Sequence, residues 1–309
     1  MTRNLLIAAL VLGAATSLAA QPPATQGRGQ RGAPDPRSRG GGNCASNPYN
    51  CLDAPNPLPP PDTVWMEDMT WMDVRDAVKA GKKTVIISTG GIEPNGPWLA
   101  LGKHNFVLRA NCDAIARKLG NALCAPIVPF VPEGSIDPPS SHMVTVGTIS
   151  LEEATFEALL TDISRSYKAH GFETIILIGD SGGNQDGMKA VADKLNAQWN
   201  AKPVVAHIPE YYAYNTVAKL LTDLGVTKAD GPRDNLHDDP GITLNMFVTD
   251  PNSVRWQQRV KAGKATIDGV SIADKAKNLE IGRKIVEMRA TNTVAAIKKA
   301  IAERRGGTR

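Results

Sequence analysis

The 309-residue sequence is poor in aromatic side chains, at 5%, and carries only four cysteines, none in a Cys-x-x-Cys pair. Without that pair there is no pattern for a zinc ribbon or a thioredoxin-like redox centre. No apolar run after the first 20 residues reaches the roughly 20 residues that a helical membrane span needs. No glycine-rich loop ends in Gly-Lys-Ser/Thr, so a P-loop is excluded. Nor does the body of the chain carry an excess of one charge. The formal net charge is +4, but Arg3 and the excess of arginine over aspartate in residues 21–43 account for all of it. Residues 44–309 sum to zero, which argues against a nucleic-acid-binding domain. The composition, 42% hydrophobic and 21% charged, is that of a globular protein rather than a coiled coil or a disordered chain.

The N-terminus has its own logic. Arg3 precedes the apolar run Leu5 to Ala15, and small residues at Ala19 and Ala20 precede a polar stretch. That order reads as a secretory signal over residues 1–20, which implies an exported protein, periplasmic or secreted. Residues 21–62 hold ten of the 22 prolines and six of the 28 glycines. Such a segment lacks the donors and the side chains to build a core, and reads as a flexible lead. Cys44 and Cys51 close a short polar loop at its end, and export favours a disulfide between them. Cys112 and Cys124 can either bridge or remain two buried thiols.

From residue 63 to 309 the chain reads as one α/β domain. A helix is expected over Met72 to Ala80, then a buried β-branched strand, Thr84 to Thr89. A helix follows from Phe106 to Leu119, and a strand from Ala125 to Val131. Ser150 with Glu153 suggests a capping box opening a helix that ends at Ala169. Strands Glu173 to Ile178 and Pro203 to Ile208 flank a helix from Gln185 to Trp199, and Lys275 to Arg305 reads as a long terminal helix. Alternation at this spacing implies a three-layer α/β/α sandwich around a mostly parallel sheet.

In such folds ligands bind beyond the carboxyl ends of the strands. Those ends give the polar loops 90–104, 133–147 and 179–187, with a later polar stretch at 230–243. Three of the five histidines, His104, His142 and His237, fall in these segments, together with Glu93 and Asp180. Imidazoles and carboxylates in one cleft are the donors of a zinc or manganese site. Ser181 in GDSGGNQDG is not assigned as a nucleophile.

A resemblance appears at the same loops. GGIEPNGPWLALGKH, after TVIIST, resembles the first motif of the creatininase (creatinine amidohydrolase) family, approximately GSxEQHGPHLPLGTD. HMVTVGTI, from His142 to Ile149, is similar to the family's HxxFPGTI. GDSGGN falls where the family has NGHGGN, and His237 where it has HAGxxETS, with Thr243 and Pro251 keeping the spacing. The likeness runs in order from about Trp65 to Val254. It implies a creatininase-like α/β/α fold, a cyclic or dihedral oligomer that is often hexameric, and hydrolysis of cyclic amides, formamides and related C–N bonds at a two-metal centre. In the family the motif glutamate and the histidine two residues on bind metals, and an aspartate bridges them. Here these positions are Glu93, Asn95 and His104. The NGHGGN histidine is Ser181 and the ETS glutamate is Ile242.

Three readings follow. In the first, the protein is a hydrolase of a small C–N substrate with a rewired, single-ion site. Glu93, His104 and Asp180 would hold the ion, and His237 and His142 would move protons. Asn95, Trp98, Ser181 and Asn184 would contact the substrate. In the second, it is a metal-free member that binds a small polar ligand in the former pocket, with Trp98 stacking on a ring. In the third, it is a scaffold acting through oligomer surfaces.

Overall fold

The computed structural model describes residues 44–228 and 237–306. The signal and most of the Pro/Gly-rich lead, and residues 230–236 of the last polar stretch, lie outside the described residues. The chain parts into two units between Pro57 and Leu58. The described part of the first is a short turn. Asn47 Oδ1 accepts from the Tyr49 amide at 3.0 Å, capping the helical turn Pro48–Asn50, and Cys44 is bonded to Cys51.

The second unit is the α/β body. Its sheet has four strands, β1 (Thr84–Thr89), β2 (Ala122–Cys124), β3 (Thr174–Gly179) and β4 (Val204–His207), in the order β2-β1-β3-β4, every neighbouring pair parallel. All six residues of β1 and of β3 are buried. This is what β-branched runs do when helices cover both faces of a parallel sheet. Ile86, Ile176, Ile178 and Ala206 face one layer, against α2 (Lys103–Leu119) and the 32-residue α8 (Lys275–Gly306). Val85, Ile87, Ile175, Leu177 and Val205 face the other, against α3 (Glu153–Ala169) and α4 (Gln185–Trp199). The short α1 (Trp71–Lys79) leans on that second layer through Val74, Ala77 and Val78. The three-layer sandwich expected from the sequence is therefore the fold.

Two local expectations are corrected. The second strand is only Ala122–Cys124. From Ala125 to Val131 the chain makes isolated bridges at Val128 and Val131, because Pro126 and Pro129 interrupt the run and have no amide to give a ladder. Ser150 does not cap α3. Its hydroxyl instead accepts from the Glu133 amide at 2.9 Å and donates to the Gly134 carbonyl at 2.7 Å, and Glu152 stands at the helix cap without a side-chain bond. The long loop after β2 is thereby fastened to the start of α3.

Beyond β4 come α5 (Tyr214–Asp223), α6 (Pro240–Thr249) and α7 (Trp256–Lys261), then a two-stranded hairpin, β5 (Thr266–Ile267) and β6 (Val270–Ser271). Asp239 caps α6, its Oδ1 accepting from the amides of Gly241 and Ile242. Cys112 on α2 is bonded to Cys124 at the end of β2. No helix among the described residues is long and apolar enough to cross a membrane.

Candidate functional site

The chain leaves β1 toward β2 on one flank and returns to β3 on the other. At such a switch point the loops that follow the two strands part and leave a crevice. Glu93 comes from the loop after β1 and Asp180 from the residue after β3. The Glu93 amide donates to the Leu101 carbonyl at 3.1 Å. Asn95 Nδ2 donates to the carbonyls of Glu93 and Ala100, at 2.7 and 3.2 Å, and so staples this loop. Glu93 ends 1% exposed.

The first turn of α2 brings two cations to it. Lys103 Nζ is in ion-pair contact with Glu93 Oε1, and His104 Nε2 lies 3.0 Å from the same oxygen. The other ring nitrogen, His104 Nδ1, lies 2.9 Å from Asp180 Oδ2. Asp180 is fully buried and takes three donors. The Tyr214 hydroxyl donates to Oδ2 at 2.8 Å, Arg289 Nη2 on α8 donates to Oδ1 at 2.8 Å, and His104 completes the set. The Arg289 guanidinium also donates to the Tyr211 carbonyl at 3.0 Å and lies over the rings of Tyr211 and Tyr214.

The loop after β2 supplies Glu133 and His142. His142 Nδ1 is 2.8 Å from Glu93 Oε2 and 3.0 Å from Glu133 Oε2. Glu133 packs so closely on the first loop that a Cβ on Gly91 would lie 2.2 Å from its Oε1. A side chain at this position would have to push the Glu133 carboxyl aside. His237 enters from the far side, its Nδ1 3.4 Å from Glu93 Oε1 and its ring edge-on to that of His142 at 5.4 Å. Its backbone φ of 64° lies in the left-handed region, which non-glycine residues seldom adopt.

These contacts set the protonation states. Burial pushes the Glu93 carboxyl up, but His104 and Lys103 overturn that and hold it below the ordinary range. Burial likewise opposes ionisation of Asp180, and Arg289, His104 and Tyr214 reverse it. Burial lowers His104, and the two carboxylates raise it above the ordinary histidine value. Glu133 goes the other way. Burial, then the neighbouring Glu93 charge, push it up to about 9, so it keeps its proton at neutral pH. Burial and the Lys103 charge lower His237, leaving its imidazole neutral and able to ligate.

Glu93, His104, His142, Asp180, Ser181 and His237, all named from the sequence, line one cavity of about 710 Å³. Three others do not line it. Asn95 is spent on the loop, Asn184 Nδ2 donates to the carbonyls of Thr89 and Gly90, and Trp98 sits 5.8 Å from the Arg259 guanidinium. The run Gly179 to Gly183 does fit the letters Gly-x-Ser-x-Gly of a serine nucleophile elbow. Its backbone does not, because Ser181 is extended, at φ −112° and ψ 148°, rather than held in a strained turn. Sequence reasoning missed Lys103, Glu133, Tyr214 and Arg289. Lys103 adjoins His104 and Glu133 opens a loop already singled out, so both had a positional signal. Arg289 had none, being one of many basic residues on a long helix.

The donor set fits one divalent ion. Glu93, His142 and His237 each offer a ligand atom, and these atoms lie within 4.8 Å of one another on the cavity wall. Two imidazoles and a carboxylate with an open side are a recurrent composition of catalytic zinc sites. Glu133, holding its proton, lies 3.0 Å from the same His142 Nδ1 that faces Glu93, and so helps to place that ring. His104 and Asp180, expected as ligands, are instead turned on each other. A second ion finds little to hold it at the positions the resemblance assigns: the Asn95 amide is committed to carbonyls, both nitrogens of His104 face carboxylates, Ser181 offers a poor ligand, and Ile242 offers none.

The family model for creatininase, described as creatinine amidohydrolase, matches residues 67–299. Comparison with curated protein sequences finds no match. Among solved structures, a tryptophan-to-phenylalanine mutant of creatininase is 19% identical and aligns with a TM-score of 0.54, covering 77% of this chain and 98% of that one. A mutant creatininase complexed with creatine is 18% identical, with a TM-score of 0.52 over 78% and 98% of the two chains. A manganese form of creatininase is 20% identical, with a TM-score of 0.51 over 78% and 98%.

Proposed function

The chain belongs to the creatininase family, and from that membership we propose that it is an exported amidohydrolase that cleaves a C–N bond of a small cyclic or amide-like molecule with the help of one divalent cation, zinc or manganese. The observation that carries this reading is the convergence of Glu93, His142 and His237 on the wall of the cavity. A bound ion supplies Lewis-acid polarisation of a carbonyl and a more acidic water. The chain's own residues do the rest. Glu93, His142 and His237 hold the ion. The His104–Asp180–Arg289 chain fixes Glu93 in one orientation. Glu133 retains a proton against Glu93 and His142. Tyr212, Tyr214, Val217 and Leu221 line the cavity with rings and apolar groups suited to a compact substrate. Arg3 with the following apolar run and the two cysteine pairs support export. The exposed Val144 and Val146, 70% and 98% accessible, support self-association through the loop beside the cavity.

A second reading has its own observation. Glu93 Oε1 is already paired with Lys103 and His104, so the anion that would attract an ion is neutralised from within. The protein would then bind a small polar molecule without metal or turnover. One experiment separates the two: metal content of the purified mature protein, before and after incubation with zinc or manganese, together with hydrolysis of a panel of cyclic amides that includes creatinine. The hydrolase reading requires about one ion per chain and turnover that a chelator abolishes. A metal-free protein that binds panel members without cleaving them establishes the second.

A further inference from the structure

Lys103 is 1% exposed, lines the cavity, and carries its ammonium against Glu93 Oε1 in the first turn of α2. A buried ammonium is costly unless it has work or a partner. Here the partner is the carboxylate that belongs to the candidate ion site. The next residue, His104, reaches the same oxygen at 3.0 Å and Asp180 at 2.9 Å. In the motif GGIEPNGPWLALGKH these two side chains stand where GSxEQHGPHLPLGTD has threonine and aspartate. A position of the family that carries an anion is occupied here by an imidazole, with a cation beside it. Arg289 repeats the pattern on the other carboxylate, its Nη2 2.8 Å from Asp180 Oδ1. Glu93 and Asp180, the two buried carboxylates that these contacts keep ionised, are thus compensated by side chains of the chain itself.

We propose that Lys103 is a resident cation that takes the place of one metal ion. Its ammonium neutralises Glu93, blocks a second exchangeable ion, and presents a fixed positive charge to the cavity. The count of one exchangeable ion rests on the reading given above, whereas the role of Lys103 does not.

The test is manganese binding to the full mature protein, by calorimetry and by the shift of thermal unfolding with added Mn²⁺. It compares the native protein with Lys103→Met, which keeps the length and removes the charge, and with Lys103→Arg, which keeps the charge. If Lys103 stands in for an ion, Lys103→Met binds Mn²⁺ at least about tenfold more tightly than the native protein, or binds one ion more, as expected when a like charge is removed from the site. Lys103→Arg stays close to native. Should Lys103→Met be poorly folded alone, the inference requires Mn²⁺ to raise its melting temperature by more than it raises that of the native protein. Equal or weaker Mn²⁺ binding by Lys103→Met, with no added thermal shift, overturns the role of Lys103 even if the native protein binds one ion. A native protein that binds none, beside a Lys103→Met variant that does, supports the resident cation and refutes the single-ion hydrolase.

Discussion

Replacing Arg289 with methionine is the most searching single change away from the cavity wall. Arg289 is 4% exposed and Asp180 is not exposed at all; their ion pair is 2.8 Å long, and the same guanidinium donates to the Tyr211 carbonyl. Methionine keeps most of the aliphatic stem and removes every donor. Breaking a buried ion pair by deleting one partner costs about 3–5 kcal/mol, because the remaining charge stays in a poorly solvated place. His104 and Tyr214 still donate to Asp180, which places the expected loss toward the lower end. For a domain of about 250 residues, 1 kcal/mol corresponds to about 2–4 °C, so the melting temperature should fall by roughly 6–12 °C. The assay is thermal and urea unfolding followed by circular dichroism, with Arg289→Lys beside it. Lysine preserves charge but reaches only one of the two acceptors, and should lose about 1–2 kcal/mol. Asp180→Asn combined with Arg289→Met should lose clearly less than the sum of the two single changes, since both ends of the pair are then neutral. An Arg289→Met protein within about 1 kcal/mol of native, or strict additivity, would refute the claim that Asp180 depends on this cation.

Other consequences are simpler to check. Burial depresses the His207 pKa below its ordinary value in the bond it makes with Gln185 at 2.9 Å. The unfolded chain therefore takes up this proton first, and stability should decline as the pH falls through the unfolded histidine value near 6.5. His207→Gln should flatten that part of the stability–pH curve; an unchanged slope would show that His207 does not cause it. Titration of the denatured, non-reduced protein should find no free thiol, since Cys44–Cys51 and Cys112–Cys124 are both bonded. Cys112→Ser with Cys124→Ser should cost about 3 kcal/mol, from a closed loop of 12 residues. Asn95→Ala leaves the carbonyls of Glu93 and Ala100 without their donor. It should cost about 1–3 kcal/mol and loosen Glu93, seen as weaker metal binding in the same preparation. A stable variant with native metal affinity would show that the staple is dispensable.

The sequence was most legible where one physical rule dominated. TVIIST and ETIILI read as strands, and the polar loops at their carboxyl ends were where a ligand was expected. Glu93, His104 and Asp180 were named in those loops, and the fold brings them into contact. Legibility failed where two rules competed. Ala125 to Val131 has the apolar character of a strand, but its prolines decide the outcome. Ser150 and Glu153 have capping-box spacing, but the Glu133 loop offered the serine a better partner. The helix α6 is buried nearly all round, so it has no polar face and no amphipathic period to reveal it. Lys103 and Arg289 were passed over, because lysine and arginine are nearly always at the surface. Only the fold shows that each is opposite a buried carboxylate. Trp98, placed by the motif where a substrate contact was expected, turned instead toward Arg259.

A single exchangeable ion held by Glu93, His142 and His237 would be visible by anomalous diffraction. The experiment is data collection at the manganese edge on crystals of the protein grown with Mn²⁺. One anomalous peak per chain is expected, in contact with those three side chains, and lost in His142→Ala and His237→Ala. Two peaks, a peak between His104 and Asp180, or none at saturating Mn²⁺ would contradict it.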